Sequence, residues 1–476
     1  MRMRCSTITI PVVVMTTICA STARGQDNAT TAIDRVAAAH PALDRDDPRE
    51  LAMKVRALLQ DEYMFFRGSA AEFYRVCDEI APDWMQDPSI RVTLHGDVHI
   101  GNVGTYRSDG SAGRDVRFGL VDLDESFEGP FQLDLLRGFA AIRFACKEAD
   151  RPLDDAAAGK VAKALCNGYA QTLSGSLGYD ELIKRHKAVS SLLKKAAKNE
   201  ALKYVERYAD VDGQRCFRAT RVKNGAVTDM LERLEGPERD RVLKAVGSYF
   251  SAGSELKARQ SFRFQTADEL VAVADDVARW TRLGSSGSQG VHKYLVLISD
   301  NPLREEAGPL ILELKEEPPP AAAVAGILDL HDRTDRGSQV AAAYHQMLDP
   351  PPRLLGSTRI GEQSFLVRTK DPWNEDLEPD DFDFGRSDDS AVEAATVLGE
   401  VTGLAHRQGL IRSNQIDRIE PIRAKVDGLS AVLQGRSLAI EERLRREYEA
   451  LCADPKAQEL ARKANDYIGR VAKANP

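Results

Sequence analysis

The stretch LHGDVHIGNVG, Leu94 to Gly104, sets two histidines, an aspartate and an asparagine among glycines. Asp97 and Asn102 stand five positions apart on a loop whose glycines permit tight backbone paths. Both carry oxygen donors, and the aspartate can also accept a proton. Further on, the run FGLVDLDESFEGP closes a β-like segment with Asp122 and Asp124, two more hard oxygen donors. Carboxylate and amide oxygens suit Mg²⁺, above all when phosphate oxygens complete its shell. Phosphoryl transfer asks little else of a protein: a group to orient the nucleophile, and positive charge on the phosphates. His95, Asp97 and His99 would alternatively suit a transition metal and an exported phosphoesterase, although both histidines also read as structural members of the loop.

A phosphate-binding half appears far downstream. LGSSGSQG, Leu283 to Gly290, leads into an aliphatic run from Tyr294 to Ile298, and the next run, LILELK, ends on Lys315. Gly287, Ser288 and Gly290 are the candidates to let backbone N–H groups approach phosphates, and Lys315 is the candidate to pair with them. Leu310, Leu312 and Leu314 alternate with Ile311, Glu313 and Lys315, which predicts a strand with the lysine on one face.

An aspartate, an asparagine five positions on and a strand-end aspartate downstream form the pattern used by protein kinases. HGDVHIGN is similar to the catalytic loop of aminoglycoside and choline phosphotransferases, and the helix-forming VLGEVTGLAHRQG resembles the helix that precedes that loop in them. Here that helix and the glycine turn both follow the loop. The order FFRG, GDVHIGNVG, DLDESFEGP, GSQG and LKEE resembles one bacterial family, domain of unknown function 2252, over roughly residues 61 to 409. The resemblance implies an α+β, bilobal, protein-kinase-like fold in circularly permuted order, with a mostly helical large lobe and a small antiparallel-sheet lobe. It implies Mg²⁺ and ATP as cofactors, Asp97 and Lys315 as catalytic residues, and Asn102, Asp122 and Asp124 as metal ligands. Kinases also place a glutamate on the helix after the lysine strand, and between Pro318 and Leu348 this chain has none.

The elements that must position these groups follow from periodicity. IRVTL, FGLVDLD, the Tyr294 run, the Lys315 run and SFLVRTK read as strands. The segments LDLLRGFAAIRFACKEA, AAAGKVAKALCNGYAQTL, ADELVAVADDVARW and GSQVAAAYHQML read as helices. Asp134 reads as a structural residue at a helix start, and Arg67 as a structural ion pair or, alternatively, a phosphate contact. The resulting division is a leader at 1–25, a linker and helix at 26–60, and a helical lobe with the catalytic and metal loops at 61–280. A nucleotide-binding lobe at 281–372 and a helical part at 373–476, completing the large lobe, follow.

The chain has 476 residues with a net charge of −8, an ordinary globular composition that argues against non-specific nucleic-acid binding. Arg2 and Arg4, an apolar run from Ile8 to Ala20 and small residues at Ala20, Ser21 and Ala23 form a secretory leader pattern. Export to the periplasm or beyond is therefore expected, with no membrane span in the mature chain. The five cysteines after the leader are scattered, without a CxxC pair. Partners are expected to be a nucleotide and a small-molecule or protein hydroxyl acceptor. A kinase-like protein that binds nucleotide without catalysis is the alternative that the missing helix glutamate favours.

Overall fold

Two short ladders decide where the acidic loops lie. The computed structural model describes residues 31–40, 43, 48–85, 87, 90–108, 116–223, 226–252, 266–283, 287, 289–299, 308–328 and 335–474. In it, β1 (Arg91–Leu94), β2 (Val103–Arg107), β3 (Val116–Leu120) and β4 (Phe127–Pro130) pair as β1 with β4 and β2 with β3, both antiparallel. Leu94 stands opposite Phe127, and Val103 opposite Leu120. Residues 95–102 and 121–126 are thus the two connections between the same pair of ladders, and register alone makes them neighbours. The leader pattern, Ser285 and Ser288 lie outside the described residues.

After the two-residue strands β5 (Ala209–Asp210) and β6 (Cys216–Phe217) comes the main sheet. It comprises β7 (Thr220–Lys223), β8 (Ala226–Arg233), β9 (Ala274–Arg282), β10 (Lys293–Ile298), β11 (Leu310–Glu316), β12 (Gly356–Ile360) and β13 (Gln363–Thr369). Its order is β12-β13-β11-β10-β9-β8-β7, antiparallel throughout. The architecture is α+β. The expected alternation holds on both faces. Tyr294, Val296, Ile298, Leu310, Leu312 and Leu314 pack with Val242, Val246 and Phe250 of the Gly236–Ala252 helix. Leu295, Leu297 and Ile311 pack with Trp280, Phe217 and Tyr208. Lys293, Glu313 and Lys315 belong to this second face.

One sequence expectation is overturned. ADELVAVADDVARW is not one helix: Ala267–Ala272 is helical, and β9 begins at Ala274. The Asp276 carboxylate accepts the Phe217 N–H and the Arg233 guanidinium, each at 2.8 Å. Val277, Ala278 and Trp280 are buried against the neighbouring strands. Those long-range partners outweigh a local helical periodicity.

Helices form the rest. Asp388–Arg412 packs along Asp155–Ser174, and Gln132–Glu148 lies beneath the two acidic loops, in one large core. After β13 the chain returns across β2: the Thr105 N–H donates to Glu375 O at 2.7 Å, and the Leu377 N–H to Val103 O at 2.8 Å. Among the described residues no helix is long and apolar enough to cross a membrane.

Candidate functional site

The first loop is held by a buried carboxylate. Asp134, near the start of the Gln132–Glu148 helix, accepts the His95 N–H at 2.8 Å and the Gly96 N–H at 2.9 Å. His406, from the Asp388–Arg412 helix, lies 3.1 Å from the same carboxylate and 3.0 Å from the Tyr169 hydroxyl. Gly96 has φ +83°, and a Cβ there would stand 2.0 Å from Glu125 O, so glycine is required where the two loops touch. His95 accepts the Asp97 N–H on Nδ1 and faces Val121 O with Nε2, spending both nitrogens on loop shape. Asp134→Ala would strand several buried donors, each costing about 1–3 kcal/mol. Urea unfolding should show a loss of roughly 3–5 kcal/mol, and a loss below about 1 kcal/mol would refute this role.

This scaffold presents Asp97 to a cleft. Arg137, one helical turn after Asp134, places its guanidinium 2.6 Å from Asp97 Oδ1. The arginine is fully buried between the rings of Phe66 and Phe73, 4.3 and 4.7 Å from their centroids. Burial alone would raise the Asp97 carboxyl, but the charge and hydrogen bond of Arg137 act the other way and hold the group below the usual carboxylate range. Oδ2 has His99 Nε2 at 3.6 Å and is the oxygen left for an incoming group. His99 is kept neutral, chiefly by burial and then by Arg67. The Asn102 side-chain amide donates to Asp97 O at 2.9 Å, leaving its own oxygen for another partner.

The second loop carries Asp122 and Asp124, and Lys315 reaches it from β11. The ammonium lies 3.1 Å from Asp122 Oδ1 and 2.5 Å from Asp124 Oδ2. Burial would lower the Lys315 pKa, but the two carboxylates outweigh it and push it well above the ordinary value. Asp122 is held well below its usual range, Lys315 and Arg368 outweighing burial, while burial and then Asp122 raise Asp124. Asp122 itself has φ 61°, a conformation that aspartate tolerates better than most residues.

The helix expected to supply a glutamate braces this loop instead. Tyr344, on Arg336–Met347, takes the N–H groups of Asp122 and Leu123 on its hydroxyl at 2.9 and 3.3 Å. Arg336 donates to Asp124 O and Ser126 O, both at 2.6 Å. Glu317 is buried, its two carboxylate oxygens make no hydrogen bond, and burial drives its pKa well up despite Lys315.

Opposite Lys315 in the β10–β11 register stands Lys293, whose pKa falls to about 7 through burial and then Lys315. Between about pH 7 and 10.5 the unfolded chain therefore holds a proton that the folded chain has lost. Unfolding takes up that proton, so stability rises with pH across this window. Lys293→Met should reduce that slope by up to about 1.4 kcal/mol per pH unit, as read by denaturation at several pH values. An unchanged slope would count against a lysine neutral in the folded state.

Both loops and the sheet line one cleft of about 690 Å³, to which Asp97, Asn102, Asp122 and Asp124 contribute from the loops and Glu313 and Arg368 from the sheet, with Gly287 and Gln289 also on its wall. Gly287 borders open space. Gly290, with φ +78°, gives its N–H to Glu50 at 3.1 Å and packs on Leu43, so its own amide is engaged by the Pro48–Leu58 helix. Among the described residues no group of three or more His, Cys, Asp or Glu converges as a metal site. Two carboxylates with the Asn102 oxygen form the smaller set that could hold Mg²⁺ when phosphate and water supply the rest. Sequence reasoning missed Arg137, Tyr344, Arg336 and Arg368. Arg137 carried a signal, as an acid–base pair with Asp134 three positions apart within the otherwise apolar run Leu133 to Ile142; the other three carried none.

Among functionally curated proteins and among solved structures the chain finds no match. One family profile, described as an uncharacterized protein conserved in bacteria (DUF2252), matches residues 45–454, most of the chain, and the chain belongs to that family.

Proposed function

We propose that the protein is a phosphotransferase that moves a phosphoryl group from a Mg²⁺-bound nucleoside triphosphate, ATP in the simplest case, to a hydroxyl acceptor. The observation that carries this reading is that the buried Lys315 pairs with Asp122 and Asp124, two carboxylates that line the same cleft as Asp97 and Asn102. Asn102, Asp122 and Asp124 would hold the metal, which when bound would neutralise charge on the phosphate oxygens. Asp97 Oδ2 would orient the acceptor hydroxyl. As the acceptor oxygen bonds to the terminal phosphorus, the bond to the bridging oxygen breaks, a nucleoside diphosphate leaves, and the hydroxyl proton passes to Asp97. A carboxylate held below its usual range is a weak base, so its main contribution is orientation. Lys315 would move part of its interaction onto the phosphates.

A two-lobed, kinase-like architecture in permuted order is supported by the sequence of parts. The turn bearing Gly287 joins β9 to β10, the lysine ends β11, the Arg336–Met347 helix follows, and the helix that reaches Asp134 through His406 comes last. The leader pattern supports export, which would require a donor available outside the cytoplasm.

The test is thermal melting with and without Mg-ATP beside a transfer assay against a panel of hydroxyl acceptors. Stabilisation with turnover supports the proposal. Stabilisation without turnover selects a nucleotide-binding protein lacking catalysis, a reading favoured by the absence of a glutamate on the Arg336–Met347 helix. No effect of Mg-ATP rejects both.

A further inference from the structure

Arg67 ends the Glu62–Gly68 helix in the FFRG segment and lines the same cleft. The ion pair expected from the sequence is not made: among the described residues Arg67 has no salt-bridge partner, and its Nε is buried without a hydrogen bond. The nearby Asp97 carboxylate is already bound by Arg137 at 2.6 Å. Two further polar groups beside Arg67 are in the same condition. His99 is 2 % exposed and its Nδ1 has no partner. Tyr63 is 6 % exposed, its hydroxyl has no partner, and its ring lies 5.7 Å from the Arg67 guanidinium. Arg67 and His99 converge over Gly101, where a Cβ would come 3.1 Å from Arg67 Nη2 and 3.3 Å from His99 Cε1.

Arg67 is only partly buried, but buried donors are ordinarily paired, and its enclosed Nε is left without a partner beside the cleft. The planar guanidinium fork matches a carboxylate or phosphate group in a way that water does not. Because His99 also neighbours Asp97 Oδ2, an oxyanion held here would sit beside the oxygen assigned to orient a hydroxyl. We propose that Arg67 and the Tyr63 hydroxyl, beside the neutral His99, form an oxyanion-binding subsite, and that the acceptor is a hydroxyl compound bearing a carboxylate or phosphate group. The acceptor assignment rests on the phosphotransferase reading; the anion site itself does not.

Calorimetric titration of the full chain with inorganic phosphate, and separately with acetate, tests this. Using the Lys315→Met variant as background removes phosphate binding at the lysine. Adding Arg67→Gln should then weaken phosphate or acetate binding about tenfold or more, and Arg67→Lys should recover part of it. Loss confined to phosphate identifies a phosphorylated acceptor, whereas loss with both identifies a carboxylate-tolerant one. Equal binding with and without Arg67, or binding of neither anion, overturns the proposal. If Arg67→Gln fails to fold, hydrogen exchange on the unmodified protein decides: added phosphate should protect residues 62–68 and 95–102, and unchanged exchange there refutes the site. Arg67-dependent anion binding in a protein that Mg-ATP does not stabilise would leave the subsite standing and remove the kinase-like reading.

Discussion

On the phosphotransferase reading, Asp97→Asn is expected to lower the transfer rate by about a thousandfold while Mg-ATP should still raise the melting temperature. The asparagine keeps an oxygen for Arg137 but loses the negative charge that would both orient a hydroxyl and receive its proton. The substitution also leaves a fully buried guanidinium without its counter-ion, since Arg137 is 0 % exposed and meets Asp97 at 2.6 Å. A stability loss of roughly 2–3 kcal/mol is therefore expected, and activity must be measured well below the lowered melting point. A variant that stays folded, binds Mg-ATP and turns over at the original rate would remove Asp97 from the mechanism. A variant that no longer binds Mg-ATP would instead assign Asp97 to nucleotide or metal binding.

Lys315→Met is expected to abolish transfer and, in the same protein, to strengthen the response to Mg²⁺ alone. The lysine side chain is 4 % exposed, and its two carboxylate partners are 46 and 26 % exposed. Removing the ammonium leaves like charges facing each other, at a cost of about 2 kcal/mol once partial access to water is allowed for. The same removal frees both carboxylates for a divalent cation that the ammonium otherwise opposes. Melting with increasing Mg²⁺, without nucleotide, should thus show a larger rise in the variant than in the unmodified protein. Equal Mg²⁺ responses would separate Asp122 and Asp124 from the metal role, and retained turnover would separate Lys315 from catalysis. The two substitutions are distinguishable because only this one enlarges the response to Mg²⁺ alone.

Much of the arrangement was legible before any coordinates. Alternation in LILELK put Glu313 and Lys315 on the face opposite Leu310, Leu312 and Leu314, where they lie. The strand readings at β1, β3, β10, β11 and β13, and the helix over Arg336–Met347, also hold. Asp134 is structural, as its place in the sequence suggested. The segment before Trp280 misled because its helical periodicity is local, whereas Asp276 is satisfied by Phe217 and Arg233, distant in sequence. Arg67 misled in the opposite way: an exposed-looking cation reads as one half of an ion pair, yet among the described residues it has no carboxylate partner, and Asp97 of the same cleft is bound by Arg137.

By itself the sequence determined which groups are present and how near neighbours share a face, because period, turn glycine and side-chain chemistry are properties of short stretches. Tertiary structure alone decided that residues 95–102 and 121–126 touch, through the register of two ladders. It also decided that Lys315 finds Asp122 and Asp124, and that Tyr344 and Arg336 brace the acidic loop from the helix that follows the lysine strand. Those pairings join residues about two hundred positions apart. At such separations the partner is chosen by how whole elements pack and which buried charges remain unmet, and no local pattern records that outcome.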